Sequence, residues 1–249
     1  VRPLREMQSA MSRVEQNDLN TQVSVTSNDE LGYLGERFNQ MTAGLRQGEL
    51  LRNLLNLYVS PEVARQAIEQ GTQLGGTLVE CTVLFSDIRS FTTLSENLPP
   101  AELIGLLNRY MSAMVEVIIE QGGIVNKFGG DSLLAVFGTP LNPAPDHAGR
   151  AVRTSMNMRE SLARFNQEQA KIKSPLIRIG IGIATGQVVV GNVGGQGRIE
   201  YTVIGDTVNL ASRLQDKTKE LDHEILISAE TYHAASSLLS LNTQLISGI

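Results

Sequence analysis

Two narrow apolar seams open the chain. Leu4, Met7, Met11 and Val14 recur at 3-4-3 spacing, and Leu31, Leu34, Phe38, Met41 and Leu45 at 3-4-3-4. Seams this narrow predict helices packed as a parallel or bundled coiled coil rather than laid on a broad core. Between them residues 17–28 are polar, with Val23 and Val25 alternating as in an extended connector. Asn28 or Asp29 is placed to cap the second helix. Two such helices cannot bury their seams alone, so the pattern predicts dimerisation. The seam then meets Gly48 and resumes out of register at Leu51, Leu54 or Leu55, and Tyr58. A break of this kind over- or underwinds a coiled coil locally. A helix restarts at Ser60-Pro61-Glu62, with Ser60 as N-cap and Pro61 at the first helical position. It runs to Gly71, and residues 71–76 form the loop at which the style of the chain changes.

From residue 77 the periods mix. Residues 82–85 read as a short strand ending at Ser86-Asp87, and 103–119 as a helix preceded by Pro99-Pro100 and stopped by Gly122-Gly123. Strands at 124–128 and 133–137 flank a Gly129-Gly130-Asp131-Ser132 turn. Asp146 caps a long helix to about Gln169, and 177–183 is a β-branched strand. This β-α-β-β-α-β order predicts an α+β, ferredoxin-like unit: one antiparallel sheet with helices on one side. An extra hairpin, 188–193 with 199–204, turns through residues 194–197. A short helix at 206–214, capped by Asp206, and a strand at 225–227 follow.

Composition changes this picture little. The chain has 249 residues, 41% of them hydrophobic, and a net charge of −5, which argues against a nucleic-acid binder in need of a basic face. Cys81 has no partner cysteine and reads as a buried, inert thiol. No stretch reaches the roughly 18–20 consecutive apolar residues of a membrane span, and there is no secretory signal. The chain begins inside a helix, as a piece of a longer protein would.

Three clusters carry candidate chemistry. In Phe85-Ser86-Asp87-Ile88-Arg89-Ser90-Phe91-Thr92 a strand delivers a carboxylate to its end, and a polar turn that could cradle phosphate follows. The hairpin topology lays Asp131 beside that strand end. Two converging acids suit hard divalent cations that also bind phosphates, although either acid alone is more simply a turn residue. In the third cluster, Glu200 through Leu214, Asn209 and Arg213 are four apart and share a helix face. An amide and a guanidinium there could hold a ribose and a phosphoryl charge, or could simply be surface residues.

Together these stretches, with Asn126-Lys127-Phe128-Gly129-Gly130-Asp131, resemble the three signatures of the class III nucleotidyl cyclases, over about residues 77–249. The opening helices resemble a HAMP domain, through Pro3 and Asp29-Glu30-Leu31-Gly32; a plain dimerising coiled coil is the simpler alternative. The resemblance implies a HAMP relay at 1–47, a linker at 48–76 and a catalytic domain at 77–249. It implies metal binding at Asp87, Ile88 and Asp131, with two Mg2+ or Mn2+ ions per site. Lys127 and Thr202 are implied to read the base, Asn209 to orient the ribose and Arg213 to stabilise the transition state. Phe85, Ser86, Ile88, Arg89, Ser90 and Phe91 are implied to line the phosphates. A lysine donor and a threonine acceptor match N1 and the 6-amino group of adenine, so the implied substrate is ATP. The family's sites form between two catalytic domains, so one chain with every role implies a symmetric homodimer, fed by an upstream transmembrane sensor, with the catalytic domain on the cytoplasmic side. Ser247 stands where the family usually has a triphosphate-contacting lysine. Two alternatives remain: a diguanylate cyclase, which would want an acid where Ser132 stands, and a catalytically inactive dimeric signalling module.

Overall fold

The computed structural model describes residues 2–24, 29–71, 74–195, 197–236, 239 and 242–246. The chain divides into two compact units, Val1–Ala64 and Arg65–Ile249. Val25, Asn28 and Ser247, each singled out by the sequence, lie outside the described residues.

The first unit holds helix α1 (Arg2–Glu15) and helix α2 (Glu30–Tyr58), with a turn at residues 16–20 after α1. Met7, Ala10, Val23 and Phe38 form a small buried cluster, with Val14 packed against it. Val23 is locked in place by Asn39. The Asn39 amide donates to the Val23 carbonyl and its oxygen accepts the Val23 N–H, both at 2.9 Å. A side chain here supplies the pairing that a neighbouring strand would give. Asp29 caps α2 by accepting the N–H groups of Leu31 and Gly32. The helix runs unbroken through Gly48, because a register break disturbs packing against a neighbour and not the backbone ladder of one helix. The remainder of the seam is uncovered in the single chain: Leu4, Met11, Leu34, Met41 and Leu45 are all exposed. Ser60 caps α3 (Pro61–Gln70), accepting the Val63 N–H at 3.4 Å.

The second unit is built on one six-stranded sheet. Its strands are β1 (Gly75–Ile88), β2 (Ile124–Gly129), β3 (Ser132–Phe137), β4 (Ile179–Gly195), β5 (Arg198–Ile204) and β6 (Ile225–Ile227). They run in the order β2-β3-β1-β4-β5, antiparallel throughout, with β6 parallel beside β4. Helices α4 (Phe91–Asn97) and α5 (Pro100–Glu120) link β1 to β2, and α6 (His147–Lys171) links β3 to β4. That is the expected βαββαβ unit. Helices α7 (Asp206–Glu220) and α8 (Ala229–Ser236) follow the added hairpin.

Strand alternation divides the core in two. Leu84 and Ile88 join Tyr110, Met114 and Ile118 of α5 and Ala151 and Met158 of α6. Cys81 and Val83 face the other way, with Ala211 and Leu214 of α7. Helices therefore cover both faces of the sheet, whereas the periodicity predicts one. What admits α7 is the Ile-Gly-Ile-Gly-Ile run opening β4. Ile179, Ile181 and Ile183 enter the first cluster. Gly180 and Gly182 lie under α7, and a methyl on Gly182 would come within 2.2 Å of the Ala211 carbonyl oxygen. Burial pushes the Cys81 thiol up to about 12, with Glu80 adding to the shift, so it behaves as an inert core residue.

Other expectations change in detail. The two strands expected at 177–183 and 188–193 are one continuous strand, because Thr185, Gly186 and Gln187 pair with Thr82, Cys81 and Glu80. Asp146 occupies the N-cap of α6, but its carboxylate accepts from Arg150 at 2.7 Å instead of capping. Gly205, not Asp206, holds the N-cap position of α7, and that helix extends past Leu214 to Glu220. The sheet also curls. A bulge between Val125 and Lys127 bends β2, and its Asn126 reaches β5, the far end of the strand order.

Candidate active site

Asp87 lies near the end of β1, in register with Ser132. Asp131 precedes Ser132 in a hairpin turn that Gly130 makes possible with φ +78. The Asp87 carboxyl is pushed up to about 6, first by burial and then by the charges of Asp131 and of Asp216 on α7. Half-buried carboxylates gathered without a cation are electrostatically frustrated. Their hard oxygens fit Mg2+ or Mn2+, which relieve that frustration and accept phosphate oxygens in their remaining positions. Among the described residues no three His, Cys, Asp or Glu side chains converge on one point.

The segment around Asp87 obeys strand alternation, which redistributes the expected phosphate contacts. Ser86 and Ile88 turn away from Asp87, into the core under α5. The Ser86 hydroxyl lies against that of Tyr110, and among the described residues neither has an aligned hydrogen-bond partner. Burial raises the Tyr110 phenol above its ordinary value; Ser86 opposes that shift, while Asp87 and Asp131 add to it. Ile88 is 2% exposed, so only its backbone carbonyl is left to serve a metal. Phe85 packs on the second cluster and Phe91 on the first. Ser90, left-handed at φ 58, opens α4 and is the exposed residue of the run.

Arg89 departs furthest from expectation. Its guanidinium donates to the Thr218 carbonyl at 3.1 Å and to the His223 carbonyl, and stands 3.9 Å from Asp222. Its backbone N–H bonds the Arg178 carbonyl at 2.8 Å. Both carbonyls are held by one terminal nitrogen, Nη2, while Nε is buried with no hydrogen-bond partner among the described residues, so the side chain is turned toward the end of α7. Neither this role nor that of Asn126 is signalled by residue type or spacing.

The curl of the sheet assembles a second group. Lys127 Nζ lies 3.5 Å from Glu200. Asn126 donates through Nδ2 to the Tyr201 carbonyl at 2.8 Å, which fixes its amide, and its Oδ1 accepts the Thr202 hydroxyl at 3.1 Å. Lys127 and Thr202 are thus brought together by strands distant in order. On α7 the buried side is Ala211, Leu214 and Thr218, so Asn209 and Arg213 stand on the exposed side.

A family model described as the adenylate and guanylate cyclase catalytic domain matches residues 76–245, and the HAMP domain model matches residues 1–47. Uncharacterized proteins of Mycobacterium bovis and Mycobacterium tuberculosis are 40% identical over 235 residues, 94% of this chain and 42% of theirs. The chain therefore spans about two fifths of the length of these curated relatives. Among solved structures, the guanylyl cyclase Cya2 is 37% identical with a TM-score of 0.63, over 71% of this chain and 89% of its own. The adenylyl cyclase CyaB from P. aeruginosa is 38% identical with a TM-score of 0.61, over 66% and 84%. A bacterial light-regulated adenylyl cyclase is 30% identical with a TM-score of 0.71, over 85% and 60%.

Proposed function

This chain belongs to the adenylate and guanylate cyclase family and carries a HAMP domain, and from that premise we propose that it converts ATP to cyclic AMP and pyrophosphate. The observation that carries the choice of base is the Thr202–Asn126 hydrogen bond. With its proton given to Asn126, the Thr202 oxygen is left to accept. It suits the 6-amino group of adenine and opposes the carbonyl of guanine. Lys127 donates to N1, which is an acceptor in adenine and a protonated donor in guanine.

Asp87 and Asp131 hold the two divalent cations, with the Ile88 carbonyl as a further oxygen. When bound, the ions lower the pKa of the ribose 3′-hydroxyl and offset charge on the phosphates. Asn209 orients the ribose so that the 3′-oxygen lies in line with the α-phosphorus. The 3′-oxygen loses its proton to solvent and bonds the α-phosphorus, and the bond to the bridging oxygen breaks to release pyrophosphate. Arg213 donates to the oxygens on which negative charge gathers.

The working unit is a homodimer with two equivalent sites. One chain brings the aspartates, and its partner the base readers, Asn209 and Arg213. Exposed apolar side chains on the β4–β5 arm (Val189, Val193, Ile199, Ile204) and on the α1–α2 seam support this reading. We assign 1–47 to the relay, 48–76 to the linker and 77–249 to catalysis, on the cytoplasmic side of a membrane-anchored protein with a transmembrane sensor upstream. Among the described residues no helix is long and apolar enough to cross a membrane. Incubating the purified dimer with ATP or GTP and Mn2+ tests the substrate. Cyclic AMP is the expected product; cyclic GTP-derived product alone, a dinucleotide or no turnover overturns the assignment. Lys127→Glu with Thr202→Cys should lower the ATP-over-GTP preference by about tenfold or more. Unchanged selectivity would remove both residues from base reading.

A further inference from the structure

Arg89 lies two residues beyond Asp87, yet its contacts run toward a different part of the fold. Its side chain is 14% exposed, and one terminal nitrogen, Nη2, donates to the carbonyls of both Thr218 and His223. Thr218 belongs to the last turn of α7, whose carbonyls have no partner within the helix. The Thr218 carbonyl already accepts the His223 N–H at 3.0 Å, and the guanidinium adds a second donor to it, complements the negative end of the helix dipole and fastens the chain leaving the helix. The Arg89 backbone N–H is held by Arg178, just ahead of β4. Clamp and seat therefore converge on one helix, with Arg89 at its C-terminal end and Gly182 under Ala211.

We propose that Arg89 is a positioning residue that sets α7, and through it Asn209 and Arg213. This rests on the shared-site homodimer. In that dimer the aspartates of a chain serve one site and its α7 serves the other, so Arg89 ties the metal-holding strand end of one site to the helix of the second. A lysine keeps the charge and one donor nitrogen but not the planar guanidinium that is buried there, so it would replace Arg89 only in part.

Heterodimers separate this role from phosphate binding. Pairing Asp87→Ala chains with Arg213→Ala chains leaves one good site, which takes aspartates from the second chain and α7 from the first. Adding Arg89→Ala to the Asp87→Ala chain should lower kcat of that site about tenfold, with KM for ATP moving less than about threefold. Adding it to the Arg213→Ala chain should cost at least fivefold less. Arg89→Lys on the Asp87→Ala chain should recover part of the loss. The opposite order, or equal losses, would overturn the proposal. A second readout needs no turnover: in the metal-free homodimer, Arg89→Ala should speed amide exchange at the end of α7 while β1 and β3 stay protected. Unchanged exchange there refutes the clamp. If the unmodified pair is inactive, the shared-site reading fails, and amide exchange still decides the clamp.

Discussion

The two halves of the candidate site are built in opposite ways. Asp87 is set into the end of a buried strand, where burial, Asp131 and Asp216 all raise the cost of its charge. Asn209 and Arg213 stand on the exposed side of a helix, and all the close packing is on the reverse of that helix, against Gly180 and Gly182. The first half holds its charge at a cost. The second is unstrained and unfinished, with its polar groups turned outward. Under the proposed function, ions would complete the first half and a second chain the other.

The sharpest break between the halves is catalytic. Asp87→Ala or Asp131→Ala should reduce turnover by roughly a thousandfold or more, and Arg213→Ala by about a hundredfold, with circular dichroism and melting near those of the parent. Mixing Asp87→Ala with Arg213→Ala chains should return a measurable fraction of activity; a dead mixture with proven heterodimers would mean that both halves lie in one chain.

A smaller effect distinguishes the halves without substrate. The folded Asp87 carboxyl is raised from its ordinary 3.8 to about 6, so the native state binds its proton more tightly than the unfolded chain does. Its contribution to stability is full below about pH 4 and is lost as pH rises through 6. The metal-free protein should therefore gain more in melting temperature between pH 7 and pH 5 than Asp87→Asn does. The difference should be a few degrees at most, since the group is half open to solvent and screened. Saturating Mn2+ should erase it, and an Arg213 variant should leave it intact. Smallest of all, Ser90→Gly should stabilise the domain by about 1 kcal/mol, by relieving a left-handed serine beside the strained half. Chemical denaturation would measure it.

Much of this was legible in the chain. The order of strands and helices follows from apolar period and turn residues, and both acids sit where those turns leave them. Long pairings were not legible: Thr185-Gly186-Gln187 reads as a loop, and becomes strand because Glu80, Cys81 and Thr82 lie alongside. The α4 helix hides in polar sequence, although Phe91, Leu94 and Leu98 pack on the core at helical spacing. The glycine alternation in 179–183 does foretell a helix pressed on one sheet face, once glycine is counted as a surface. Residue type could not separate Arg89 from a phosphate ligand, since the same fork serves either acceptor. What turns it toward α7 is a pair of carbonyls, that of Thr218 in the last turn of the helix and that of His223 just beyond it.

The curl that joins Asn126 to Thr202 also has a bearing on time. Asp87 and Ser132 pair across β1 and β3, whereas the hydrogen bond that fixes the Thr202 proton spans 76 residues. Contacts of greater sequence separation carry the larger loop-closure cost and tend to form later. On the ribosome, the β1–β3 pairing can form before the strand bearing Thr202 has been synthesised. The contact that holds the Thr202 hydroxyl is therefore made later than the β1–β3 pairing that sets Asp87 beside the hairpin.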